Sequence, residues 1–80
     1  MLDALRNAWG GSWDGGLHAR QFHGLIRIAA RPVKVEVLIR RDRVIVTLFE
    51  QGQSIVCISG ADVSETVKAA IKKASILMEA

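Results

Sequence analysis

From residue 24 to residue 59 the chain keeps a period of two, with Val, Ile and Leu alternating against polar or smaller residues, and the pattern breaks three times. A period of two puts successive side chains on opposite faces of a strand and fits no helix. The segments are 24–30, 33–40, 43–49 and a shorter 54–59, parted by Arg31-Pro32, Arg41-Asp42 and Gln51-Gly52. Gln51-Gly52 suits a two-residue turn, because glycine accepts positive φ. Arg41-Asp42 carries a weaker turn signal. Proline is awkward at the second turn position, so at Arg31-Pro32 either the loop moves or the first two segments form one bent strand.

Taking each break as a two-residue hairpin turn aligns Ile26, Val37, Val46 and Cys57 in one row, and Ile28, Val35, Leu48 and Ile55 in another. Both rows lie on one face and hold no charge. A slip of one residue would scatter them. The expected core is Ile26, Ile28, Val35, Val37, Ile39, Val44, Val46, Leu48, Ile55 and Cys57, packed against Val67, Ile71 and Ala74.

A helix should cover that face. Asp62 and Glu65 form a D-x-x-E capping pattern with Asp62 as N-cap. Val63, Val67, Ala70, Ile71, Ala74 and Met78 follow as an apolar stripe, with Lys68, Lys72 and Lys73 on the other side. About 17 helical residues span roughly 26 Å, and a seven-residue strand spans roughly 23 Å, so the lengths match. The expected fold class is α+β: an antiparallel β-meander of three to four strands packed on one C-terminal amphipathic helix. The chain reads as a single domain, 1–80, with a short N-terminal helix or Gly-Trp arm over 1–21, the meander over 22–60 and the helix over 61–80. Leu2, Leu5 and Trp9 share one side of two helical turns, Gly10-Gly11 stops them, and the glycine-rich 10–16 reads as a loop or mobile arm.

A chain of 80 residues buries only a modest core. With Cys57 the single cysteine, no disulfide can reinforce it. A reducing, cytoplasmic setting is the expectation. The first residues lack the apolar core of a secretory signal, and no apolar run approaches a membrane span. Extra stability is then expected from self-association or a partner. The net charge is +3, and the excess of arginine falls in the first half, which points to an acidic partner.

The chemistry-bearing residues give little. Cys57, mid-strand with no histidine near it in sequence, reads as a buried structural thiol. His18 and His23 are too far apart on either regular element to share a metal, so no metal or cofactor is expected. The run Trp9-Gly10-Gly11-Ser12-Trp13-Asp14-Gly15-Gly16 lacks the Gly-Lys-Ser/Thr ending of a phosphate loop. Without a carboxylate pair or a Ser-His-Asp set, no enzyme activity and no small-molecule substrate are expected. Trp9 and Trp13 either cap the domain or anchor a partner, as tryptophan often does.

The second sheet face is the most informative. In the assumed register Leu25, Leu38, Ile45 and Ile58 form an apolar row across four strands, with Arg27 opposite Glu36 beside it. A solvated face should alternate cleanly, so the N-terminal arm, a second copy of the chain or another protein is expected to cover this one. Arg40, Arg41 and Arg43 crowd one hairpin tip and, with Arg27, are the candidate nucleic-acid contacts. The plan of a small meander and one helix resembles several small phage-encoded inhibitor proteins, though architecture alone does not license function. The sequence is therefore read first as a non-catalytic protein-interaction module, an adaptor or inhibitor or a homodimer, with Trp9, Trp13, Leu25, Leu38, Ile45 and Ile58 as its interface. The alternative is a small nucleic-acid-binding protein using the arginine-rich hairpin tip and the basic N-terminal half.

Overall fold

The computed structural model describes residues 10–15 and 20–79. Five strands, β1 (Ser12–Asp14), β2 (Gln21–Ile28), β3 (Arg31–Ile39), β4 (Val44–Glu50) and β5 (Gln53–Gly60), form one antiparallel sheet in sequence order, and the helix α1 (Val63–Glu79) packs on one face. This is the expected α+β meander with one strand more. The extra strand is β1, in the glycine-rich segment read as a loop or arm: Trp13 pairs with Gly24, and Ser12 and Asp14 with Leu25 and His23. The helix expected over residues 2–9, and Trp9 with it, lie outside the described residues.

The α1 N-terminus forms as its sequence predicts. The Asp62 carboxylate accepts the Glu65 N–H at 3.0 Å, and the Asp62 carbonyl accepts the Thr66 N–H at 3.0 Å. Val67, Ala70 and Ala74 are buried against the sheet, with Val63, Ile71 and Met78 partly buried beside them. The helix lies mainly over β4 and β5. Trp13 is buried on the same face of the sheet, and with Phe22 it completes the core at the β1–β2 end. At the far end of α1 the Arg31 guanidinium pairs with Glu50 at 3.0 Å and reaches the Met78 carbonyl at 3.5 Å. Among the described residues no helix is long and apolar enough to cross a membrane.

Three hairpins set the register, and two of them depart from the expected one. The β3–β4 turn falls at Arg41-Asp42 as read, with the Arg40 N–H donating to the Arg43 carbonyl at 2.8 Å, and Val37 pairs with Val46. The β4–β5 turn is Gln51-Gly52, both at positive φ (52° and 79°), again as read. The β2–β3 turn is Ala29-Ala30, two residues before Arg31-Pro32, with φ of 52° and 62°. Arg31 and Pro32 belong to β3, opposite Ile28 and Arg27. Pro32 is tolerated there because it stands at the strand's start, beyond the last β3–β4 pair, Lys34 with Phe49. A two-residue displacement keeps every β2 side chain on its face and slides the strand along β3. Gly24, not Ile28, therefore stands opposite Val35.

The second departure turns β5 over. Phe49 pairs with Ser54 but Leu48 pairs with Val56, so Ile55 is an extra residue in a β-bulge. Beyond it the strand is one residue out of the expected phase. Val56 is buried, Ile55 and Ile58 pack against the core, and Cys57 faces away from the helix and is exposed. Of the expected core, Ile39, Ile55 and Ile71 are only half-buried and Cys57 leaves it, while Trp13, Phe22, Val33, Val56 and Ala70 join its buried residues.

Candidate functional site

The face opposite α1 is where the register matters for function. Read from the β3–β4 tip, Arg40 stands opposite Arg43, and the next row is Gln21, Leu38, Ile45 and Ser59. The row after it is Asp14, His23, Glu36, Thr47 and Cys57. A third row runs Ser12, Leu25, Lys34, Phe49 and Ser54. No described element packs on this face.

Leu38 and Ile45 face each other across β3 and β4 and are half-buried. Leu25 is 53% exposed. Phe49 is half-buried, with the Lys34 ammonium 5.9 Å from its ring centroid. Apolar surface is thus spread over two rows, with a polar row between. In that middle row the Thr47 hydroxyl lies 3.6 Å from the Cys57 sulfur. His23 stands between Asp14 and Glu36, and its Nδ1 is buried without a hydrogen-bond partner among the described residues. No group of three metal-ligating side chains occurs among the described residues.

The tip end is basic. The Ile39 N–H donates to the Arg20 carbonyl at 2.7 Å, extending the β2–β3 ladder by one step and fastening Arg20 beside the Arg40–Arg43 hairpin. Arg20, Arg40, Arg41 and Arg43 are all exposed and border one depression whose floor includes Leu38 and Ile45. Among the described residues Asp42 is the one acid on its rim. The sequence counts Arg20 only within the basic N-terminal half and gives no sign that it reaches the tip. Only the Ala29-Ala30 turn brings it to the tip, since the expected register would leave it beyond the end of β3.

The sequence-predicted interface is therefore partly rearranged. Leu38 and Ile45 remain neighbours on the open face, and Leu25 is on the same face two rows away. Ile58 is removed from it by the bulge and packs against the core. Trp13 is buried on the helix side, and Trp9 lies outside the described residues. Arg27 stands opposite Pro32 and not Glu36, at the end of the sheet away from the arginine tip, so it does not join Arg40, Arg41 and Arg43. Comparison with family models, with curated proteins and with solved structures finds no match for this chain.

Proposed function

We propose that this chain is a non-catalytic protein-interaction module that docks a protein on the open face of its sheet, acting as an adaptor or as an inhibitor that occupies a larger protein's surface. The observation that carries this reading is the Leu38–Ile45 cross-strand pair. It faces away from the helix-covered core, with exposed Leu25 and the Phe49 ring on the same face. The β5 residues beside this surface, Ser54, Cys57 and Ser59, are small and uncharged, so covering them buries no charge and asks a partner only to hydrogen-bond the two hydroxyls. Fully burying one Leu or Ile side chain is worth roughly 1.5–3 kcal/mol, a large fraction of the stability of a domain this size.

The test is the double variant Leu38→Glu/Ile45→Glu. Both side chains point away from the core, so the variant should keep a native circular dichroism spectrum and a cooperative melt, lowered by the two facing carboxylates. Association should be lost: a dimer in sedimentation equilibrium if the occupant is a second copy, a nuclease-resistant captured protein if it is a different one. A monomeric wild type that captures no protein, or a double variant that associates as before, would contradict the reading.

A further inference from the structure

We infer that the arginine tip is a second binding surface, and that it takes the sugar–phosphate backbone of a nucleic-acid duplex without reading bases. Charge placement carries the argument. Arg20, Arg40, Arg41 and Arg43 hold four of the chain's 11 Lys and Arg, and Asp42 is one of its 8 Asp and Glu, leaving seven of each sign everywhere else. The whole net charge of +3 therefore resides at one end of the sheet. Among the described residues no ion pair relieves it. Arg40 and Arg43 stand directly opposite each other across the hairpin, a like-charge arrangement that disfavours the pairing. The β2–β3 ladder brings a third arginine alongside them. Among the described residues the one ion pair, Arg31 with Glu50, is at the far end.

Two further features narrow the ligand. All four cations are arginine, whose planar fork matches phosphate oxygens bidentately. Among the described residues no aromatic side chain lines the depression between them, so those residues offer no platform for the stacking that holds single strands. What remains is contact with closely spaced phosphates, which a duplex supplies at the highest density. This surface adjoins the Leu38–Ile45 pair that carries the protein-docking reading, and the two are told apart by variants that leave each other's residues in place, the arginines here and Leu38 with Ile45 there.

The experiment is fluorescence anisotropy of the full chain with a labelled mixed-sequence DNA duplex of about 20 base pairs, titrated over a range of salt. Three to four phosphate contacts give a slope of log K against log salt of about −3. The variant Arg20→Ala/Arg40→Ala/Arg43→Ala should weaken binding at least about tenfold and bring the slope to about −1 or shallower. Asp42→Asn should tighten it about twofold or more. Unrelated duplex sequences should compete equally. The arginines are exposed and outside the core, and an unchanged melt checks that the triple variant folds. Absence of binding at low salt, or a slope unaltered in the triple variant, would overturn the inference. So would a single strand of equal length competing better than the duplex. Polyglutamate competing as well as DNA would assign the tip to an acidic protein instead, and overturn it too.

Discussion

Trp13 packs directly on the backbone of Gly24, its cross-strand partner: a β-carbon at Gly24 would lie 2.5 Å from the indole Cε3. The indole N–H donates to the Gly10 carbonyl at 2.8 Å, so the ring is held from both sides. Gly24 is the gap in the core face of β2 that the tryptophan fills, an edge-strand aromatic covering a glycine. Gly24→Ala should force the indole out of place and destabilise the protein by about 1–3 kcal/mol, read as a lower urea midpoint at unchanged m-value. Unchanged stability would mean that Trp13 does not rest there.

The Ala29-Ala30 turn holds two L-residues at positive φ, a conformation that costs roughly 1–2 kcal/mol per non-glycine residue. Asn-Gly is the preferred pair for a two-residue hairpin with both central φ positive. The replacement Ala29→Asn/Ala30→Gly should therefore raise stability by about 1 kcal/mol, a gain of about 4–8 °C in Tm for a domain this size. A loss of stability would place the turn elsewhere, with Arg31-Pro32 the obvious alternative.

The bulge at Ile55 predicts a reversal of sensitivity between neighbours. Val56→Asp would bury an unpaired carboxylate in the core and should prevent folding. Cys57→Asp places the same carboxylate on the open face and should shift stability by less than about 1 kcal/mol. The Cys57 thiol should also react fully with a thiol reagent in native buffer, as an exposed cysteine does. Protection until the protein unfolds would restore the unbulged register.

How much of this is legible in the sequence follows from what each residue has to signal. Asp62 and Glu65 announce the helix start because a cap needs an acceptor side chain at a fixed offset. Gly52 announces a turn because glycine tolerates positive φ without strain. The alternation in 33–40 and 43–49 assigns faces because the period of a strand is fixed. Ala29 and Ala30 announce nothing: alanine favours no turn, and the hairpin forms there because the pairing of β2 with β3 outweighs the local strain. The bulge is equally silent, since Ser54 to Ser59 would alternate acceptably in either phase and only packing against α1 decides between Val56 and Cys57. Those two silent features moved the strand candidates of the second face, while Trp13 left the interface because β1 pairs with β2 and seats the indole on the helix side. They took Ile58 into the core, set Leu25 two rows from Leu38, and brought Arg20 to the tip.

The bulge also supplies the most direct test of the docking face, because it leaves the chain's one cysteine, Cys57, exposed in the row next to Leu38 and Ile45. A photo-crosslinker attached to Cys57 sits within reach of anything that covers the apolar pair. Irradiation in nuclease-treated lysate, or of the purified protein alone, should yield one discrete protein adduct, and the Leu38→Glu/Ile45→Glu variant carrying the same label should yield none. No adduct from wild type, or an adduct undiminished in the double variant, would contradict the claim that this face binds protein.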